Sequence, residues 1–211
     1  MGADFTFAAG YTLKGKNKKA NEMVAEAVNN AKNADVALVF VGLTDDYETE
    51  GNDRSHINLP PIHNTLVEEV LEVNPNTIVV LSGGASVTMP WADKVPAILN
   101  MFLTGQAGGS AVCDIIFGDV NPSGKLAETY PIALEDNSSY NFFPGTSVSV
   151  EYRESVYVGY KYYDTAKKEV AFPFGHGLSY TTFEYSDVKV SSDKIKDTDT
   201  VTVSFKIKNT G

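Results

Sequence analysis

The stretch "DVALVFVG" (residues 35–42) contains six consecutive apolar residues and ends at a glycine. A short, valine-rich apolar run is typical of a strand that is buried on both faces, as the strands of parallel sheets are. The run is far shorter than the ~20 apolar residues that a membrane-spanning helix requires. It therefore predicts a fully buried strand of a parallel sheet.

The segments around this strand alternate between helical and strand patterns. Apolar residues recur at helical spacing over 20–31 before the strand and over 62–73 after it. The runs "NTIVVLSGG" (76–84) and "VPAILNMFL" (95–103) predict two more strands, and "SAVCDIIFG" (110–118) predicts an apolar helix. This alternation predicts an α/β fold with a mainly parallel sheet and helices on both faces.

Two residues of the predicted helices have structural interpretations. Cys113 is the only cysteine, so the chain has no disulfide framework, and its apolar setting predicts a small buried side chain. His63 falls among the polar positions of its helical pattern, which predicts a histidine in contact with solvent.

The chain changes character after "NPSGKL" (121–126). Residues 130–180 are rich in Tyr, Phe, Gly and Pro and show little periodicity. They predict a long ordered meander over the α/β layer, in which aromatic side chains provide the packing. Polar and apolar residues then alternate in "FEYSDVKVSSD" (183–193) and "TVTVSFKIKNTG" (200–211), which predict two antiparallel strands.

These patterns divide the chain into an α/β part, residues 1–182, and the first strands of a β-domain, residues 183–211. Two strands are too few to be stable alone, so we expect the β-domain to continue in a longer protein. A helix precedes the first convincing strand, so we also expect at least one βα unit before Met1. An exposed sheet edge and an incomplete β-domain favour a strand-exchanged homodimer.

Charge and composition exclude some partners. The net charge of −10 and a pI near 4.7 argue against nucleic acid, because phosphate binding requires a basic surface. No apolar run is long enough to predict a membrane span. The first ten residues lack the basic and apolar regions of a signal peptide, and the compartment stays open.

An acidic loop, "DDYETEGNDRSHINLPP" (45–61), follows the first strand. It has five carboxylates, which belong to Asp45, Asp46, Glu48, Glu50 and Asp53, and one arginine. Their spacing does not match the calcium loop D-x-D/N-x-D/N-G, and the three histidines of the chain have no zinc-ligand spacing. We therefore expect no metal.

The turn "SGGAS" (82–86) also follows a strand, but it matches neither the G-x-S-x-G of serine hydrolases nor the G-x-G-x-x-G of dinucleotide sites. The acidic loop suits a glutamic acid that protonates a glycosidic oxygen. That role requires an exposed loop, a carboxyl whose pKa is raised by neighbouring carboxylates, and a partner carboxylate across the sugar. Glu48 and Glu50 meet the first two requirements.

Read in order, the motifs resemble the second domain of glycoside hydrolase family 3, the β-glucosidase-type enzymes. The matching segments cover roughly residues 34–190 and are "ADVALVFVGL", "ETEGNDRSHINLP", "NPNTIVVLSGGASVTMPW", "GQAGGSAVCDIIFGDVNPSGKLAETYP", "YRESVYVGYKYYD" and "AFPFGHGLSYTTFEYSDVKV". Of these, "GDVNPSGKL" and the "PFGHGLSYT" segment are already specific when taken singly.

The resemblance implies the fold and its missing parts. Family members join a (β/α)8 barrel, which carries a nucleophilic aspartate, to an (α/β)6-sandwich and a fibronectin type III-like domain. This chain resembles a truncated (α/β)6-sandwich followed by the start of the last domain. No residue of the chain matches the nucleophile's motif, and no cofactor is expected.

The resemblance also implies that the segment "ETEG" (48–51) carries the acid/base. We favour Glu48, because relatives that read E-T-K-G place the acid on that first glutamate, whereas relatives that read S-G-E-G would favour Glu50 if no gap intervenes. Asp53 and Arg54 resemble the D-R pair of the family, and we expect them to brace the loop through an ion pair.

The expected function is therefore part of a retaining, exo-acting β-glycosidase that acts on a β-linked glucoside or oligosaccharide. The chain supplies the acid/base to a site shared with the missing barrel and is inactive alone. The alternative is a non-catalytic carbohydrate-binding or interaction module on the same scaffold.

Overall fold

The computed structural model describes residues 2–13, 19–51 and 53–211. In chain order the elements are α1 (Ala20–Lys32), β1 (Ala37–Gly42), α2 (Pro61–Val73), β2 (Thr77–Ser82), β3 (Ala97–Asn100), α3 (Gly108–Ile116), β4 (Tyr130–Pro131), a 3-10 turn (Leu134–Asp136), α4 (Tyr160–Ala166), β5 (Val170–Phe172), β6 (Phe183–Val190) and β7 (Val203–Asn209). The sequence of helices and strands confirms the α/β prediction.

Three of the strands form a parallel sheet in the order β1-β2-β3. In β1 and β2, Val39 pairs with Val79 and Val41 pairs with Leu81. All four of these side chains are buried. They form one core with the apolar faces of α1 and α2, including Val24, Leu66, Val67 and Val70.

Asn74, at the C-terminal end of α2, is a buried polar residue that joins three elements. Its side-chain amide donates to the carbonyls of Ala31 and Ala34, both at 2.9 Å. Its own carbonyl accepts from the Thr77 hydroxyl at 2.6 Å. Buried polar groups must find such partners, so these bonds fix the end of α1 and the start of β2 around the end of α2.

The continuous burial expected for residues 35–42 is wrong on one face of β1. Leu38 and Phe40 are 37% and 51% exposed, whereas Val80, on the same face of neighbouring β2, is buried. The contacts of α2 are with β1 and β2, and α2 also packs against α1. Among the described residues, the face that carries Leu38 and Phe40 has no comparable cover.

The predictions for His63 and Cys113 are also wrong. His63 is only 2% exposed. It stacks on Tyr11, with ring centres 3.9 Å apart, and its Nδ1 accepts from the Gly42 N–H at 3.4 Å. Cys113 is exposed because the buried side of α3 is formed by Gly108 and Val112.

The meander that follows α3 contains short regular elements. Strands β4 and β5 pair antiparallel, with Tyr130 opposite Phe172. Next to them, the Leu126 N–H donates to the His176 carbonyl and the Gly175 N–H donates to the Leu126 carbonyl, both at 2.8 Å. Aromatic pairs such as Tyr160 with Phe174, whose ring centres are 4.6 Å apart, pack within the meander.

Strands β6 and β7 form a separate antiparallel pair, as predicted. Every residue of both strands is exposed, including Tyr185 and Phe205, whose rings lie 6.1 Å apart. The start of β6 is joined to the end of β7 by the Thr181 hydroxyl, which donates to the Asn209 side chain at 2.6 Å. None of the described helices has the length and hydropathy that a membrane span requires.

The buried His63 predicts a pH-dependent stability. Burial lowers its pKa from 6.5 to about 4, against the opposing effect of the Gly42 hydrogen bond. Above pH 6.5 the ring is neutral in both states. As the pH falls towards 4, the unfolded chain binds a proton that the folded chain excludes, so the free energy of unfolding falls by up to about 3 kcal/mol.

Urea unfolding of the wild type and of His63→Asn at several values between pH 7 and pH 4 tests this prediction. The variant should lose this part of the slope, whatever its stability at pH 7. His56→Asn, which changes an exposed histidine, is the matched control and should keep the slope of the wild type. Parallel curves for the wild type and His63→Asn would contradict the prediction.

Candidate functional site

The candidate site lies at the carboxyl edge of the parallel sheet, where ligands of open α/β sheets bind. The Leu43 N–H extends the pairing of β1 with β2 by donating to the Ser82 carbonyl at 2.9 Å. The acidic loop and the turn "SGGAS" (82–86) therefore leave the sheet side by side. The end of β3 borders the same turn, since the Gly83 N–H donates to the Phe102 carbonyl at 3.3 Å.

Glu48 is half-buried and points back to this turn. One helical turn at the start of the loop brings it there, because the Thr44 carbonyl accepts from the N–H groups of Tyr47 (2.8 Å) and Glu48 (2.9 Å). The Gly84 N–H then donates to Glu48 Oε2 at 2.7 Å. A hydrogen bond to a charged carboxylate is among the stronger ones in proteins.

Gly84 allows this approach because it has no side chain. A Cβ at this position would lie 2.9 Å from Glu48 Oε1 and 3.1 Å from Leu103 Cδ1. Contacts this short force a neighbour to move. A side chain at this position would therefore push the Glu48 carboxylate out of its present place.

Glu50, by contrast, is exposed. We use the term loop tip for the described residues 49–51 and 53–56, between Glu48 and the point where the chain returns to the sheet. The return point is Ile57, whose carbonyl accepts from the Thr88 N–H at 2.9 Å. The neighbouring Asn58 side chain accepts from the Thr88 hydroxyl at 2.7 Å. Glu48 and Glu50 are therefore close in sequence but differ in their surroundings.

A second carboxyl, that of Glu128, lies beside Glu48. Burial raises the pKa of Glu128, and the negative charge of Glu48 adds to the rise. The backbone N–H of Ser86, which hydrogen-bonds Glu128, and the positive charge of Arg54 both oppose it. Two carboxylates from different segments thus meet at the turn after β2, with one guanidinium close by.

The predicted ion pair between Asp53 and Arg54 is not formed among the described residues. Asp53 is exposed, whereas Arg54 is half-buried and faces Glu128. The Arg54 Nη1 atom is buried without a hydrogen-bond partner. The two adjacent side chains therefore differ in burial, and no ion pair between them braces the loop.

Tyr130 is the last member of the polar cluster that contains Glu48, Glu128 and Arg54. Its hydroxyl accepts from the Asn100 side-chain amide at 2.8 Å, at the end of β3. Burial raises the pKa of the Tyr130 phenol to about 12. The hydrogen bond from Asn100 lowers this pKa, and the negative charges of Glu128 and Glu48 raise it further. The acidic loop, the turn after β2, the end of β3 and the start of the meander all contribute to one polar cluster.

Comparison with known proteins gives the family. The model of the glycosyl hydrolase family 3 C-terminal domain matches residues 4–180. The chain belongs to glycoside hydrolase family 3. Thermostable beta-glucosidase B of Acetivibrio thermocellus is 50% identical over 208 residues, which are 99% of this chain and 27% of that protein.

Solved structures of family 3 enzymes share the fold. The beta-glucosidase of Bifidobacterium adolescentis has a TM-score of 0.89 and 44% identity, over 98% of this chain and 30% of that one. The Kluyveromyces marxianus enzyme in complex with glucose has a TM-score of 0.84 and 40% identity, over 93% of this chain and 23% of that one. The chain spans about a quarter of the length of these relatives.

Among the residues of this cluster, Gly84, Asn100 and Glu128 were not predicted as site residues from the sequence. Glu128 lies in one of the motifs that resemble the family, and no separate role was predicted for it. A single carboxylate between Leu126 and Tyr130 is nevertheless a sign of a partly buried acid. Gly84 was judged only against nucleotide and hydrolase fingerprints. Asn100 lies within an apolar run and carries no signal of its own.

Among the described residues, the two most defined cavities lie away from the "ETEG" segment. Two open cavities, of about 500 and 330 Å³, are lined by residues of the meander, among them Asn141, Phe142 and Arg153. Neither includes Glu48 or Glu50.

Proposed function

We propose that this chain is the acid/base-bearing part of a retaining, exo-acting β-glycosidase that cleaves a β-linked glucoside or oligosaccharide. The observation that carries the proposal is the exposed Glu50, which follows the carboxyl edge of the sheet in a family 3 domain and lines neither of the two cavities of the meander. Such a carboxyl suits a site completed by a second domain. By resemblance, that domain is a (β/α)8 barrel with an aspartate nucleophile.

The reaction requires no cofactor. In the first step the acid protonates the glycosidic oxygen while the aspartate attacks the anomeric carbon, and the leaving alcohol departs. In the second step the same group, now a carboxylate, takes a proton from the water that hydrolyses the glycosyl-enzyme. The two carboxyl groups of the assembled site would lie about 5–5.5 Å apart.

Both candidates for the acid/base remain in the proposal, and their geometry supports different roles. The Glu48 carboxylate already accepts a hydrogen bond from the Gly84 N–H of its own domain. The Glu50 side chain is exposed and can enter a pocket on another domain. We therefore propose Glu50 as the proton donor, although the E-T-K-G relatives favour Glu48.

The purified chain should not hydrolyse an aryl β-glucoside above the buffer rate, because it holds the acid/base without the nucleophile. Release of the aryl alcohol measured by absorbance checks this expectation. Hydrolysis by the chain alone, retained in a Glu48→Gln/Glu50→Gln double variant, would reveal a contaminant. Hydrolysis that the double variant lacks would contradict the two-domain proposal.

A chimera restores the missing part. In it, this chain replaces the matching region of thermostable beta-glucosidase B of Acetivibrio thermocellus, at 50% identity. The chimera should hydrolyse aryl β-glucosides, and Glu50→Gln should lower kcat by about 10²–10⁴-fold, the usual contribution of a general acid–base group. Asp46→Asn, which changes another exposed carboxylate of the loop, is the matched control.

Rescue by azide distinguishes a residue that acts as the acid/base from a residue with another role. In a Glu50→Ala chimera, azide can attack the glycosyl-enzyme without a general base: the bond from carbon to the aspartate oxygen breaks and a carbon–nitrogen bond forms. Accumulation of β-glycosyl azide supports Glu50, and the same result only for Glu48→Ala supports Glu48. A folded wild-type chimera without turnover would overturn the proposal in favour of a non-catalytic carbohydrate-binding module.

We also propose that residues 183–211 begin a separate β-domain and that they mediate a strand-exchanged homodimer. Supporting observations are the independent pairing of β6 with β7 and the exposure of every residue of both strands. Unpaired strand edges of this kind can add strands from a second copy.

Deletion of residues 183–211 tests both ideas. Residues 1–182 should keep a cooperative thermal transition within a few degrees of the full chain and should be monomeric by light scattering. The full chain should show a dimer mass at the same concentration. A monomeric full chain at high concentration would contradict the dimer, and loss of the transition in 1–182 would contradict the division.

A further inference from the structure

The turn "SGGAS" (82–86) holds two carboxylates that come from different parts of the chain. The Gly84 N–H donates to Glu48 Oε2 at 2.7 Å, and the Ser86 N–H hydrogen-bonds Glu128. A turn that follows a strand leaves peptide N–H groups without ladder partners. Gly84 is exposed and Ser86 is half-buried, and the acceptors here are carboxylate side chains.

The bond to Gly84 attaches the acidic loop near its middle. The loop is held at Leu43, through the Ser82 carbonyl at the end of β2, and again at Ile57, through the Thr88 N–H. Between these two points Glu48 bonds the Gly84 N–H, and the rings of Tyr47 and His56 lie 6.3 Å apart. Glu50 follows Glu48 by two residues, on the exposed loop tip.

The close approach at Gly84 shows how tightly this attachment is built. The space that a Cβ would occupy there is within 2.9 Å of Glu48 Oε1. The charges of Glu48 and of the half-buried Arg54 both act on the neighbouring Glu128, in opposite directions. Glu48 therefore lies among groups of its own domain on the side of the turn.

We propose that Glu48 is a positioning residue, whose bond to the Gly84 N–H fixes the loop tip so that Glu50 is presented in one orientation. This inference rests on the proposed function, in which Glu50 is the proton donor. The physical reason is that catalysis depends on the placement of the reacting group, and a displacement of about 1 Å can cost about 10²-fold in rate.

The first test uses the chain alone and does not depend on activity. Hydrogen exchange of the Gly84 amide, followed by NMR, should become at least about ten-fold faster in Glu48→Ala, because its charged acceptor is gone. The Thr88 amide, which donates to Ile57, should keep its protection and serves as the internal reference. Unchanged exchange at Gly84 would overturn the attachment itself.

The second test uses the chimera described above. Glu48→Ala should lower kcat by about 10²-fold and azide should not restore it, because no acid/base is missing. Glu48→Gln keeps an acceptor oxygen for the Gly84 N–H and should retain activity within about ten-fold of the wild type. A proton donor gives the opposite pattern, since glutamine cannot protonate the leaving oxygen.

The two tests distinguish failure of the proposed function from failure of the positioning role. If the wild-type chimera is folded but inactive, the proposed function fails, and the Gly84 amide still reports whether Glu48 holds the loop. If the chimera is active but Glu48→Gln abolishes turnover and azide rescues Glu48→Ala, Glu48 is the donor and the positioning role is overturned. Gly84→Ala, which crowds Glu48, should reproduce the loss of kcat seen for Glu48→Ala.

Discussion

Parallel pairing of β1 with β2 is the constraint on which the candidate site depends. The two strands run in register from Ala37 opposite Thr77 to Gly42 opposite Ser82, so the loops that follow them leave at one edge. The pairing is tightest at its end, where a Cβ on Gly42 would lie 1.9 Å from the Ser82 carbonyl oxygen. The acidic loop and the turn after β2 thus begin side by side, and a side chain five or six residues along one loop can reach a peptide group on the other.

This arrangement brings two carboxylates close together, and nearby groups of the chain offset part of their repulsion. Two carboxylates at one turn repel each other, which is one cause of the raised pKa of Glu128. Peptide N–H groups stabilise both charges, and Arg54 adds a positive charge from the same loop. The buried Nη1 of Arg54 without a partner shows that this compensation is incomplete within the described residues.

The sequence predicted the elements better than their surroundings. Valine-rich runs and helical spacing located β1, β2 and α2 because backbone periodicity is a local property. The exposure of Phe40 and of Cys113, and the burial of His63, were wrong because burial depends on which elements pack against a face. The proximity of Glu48, Gly84 and Glu128 could not be predicted from their spacing in the sequence. Gly84 and Glu128 are 44 positions apart, and only the register of the sheet and the return of the meander bring them together.

A glutamate that serves a site on another domain must satisfy two opposite requirements. It must project from its own domain, yet its orientation must be defined before the domains meet. One residue that accepts a hydrogen bond from its own fold cannot also be free to enter a foreign pocket, so the requirements are most simply met by two residues. In "ETEG", Glu48 has the attachment and Glu50 has the exposure. Burial of a carboxyl group favours its protonated form. The docking that completes such a site would therefore also prepare the acid, and the abundance of carboxylates in the loop would matter less than the one that holds the loop in place.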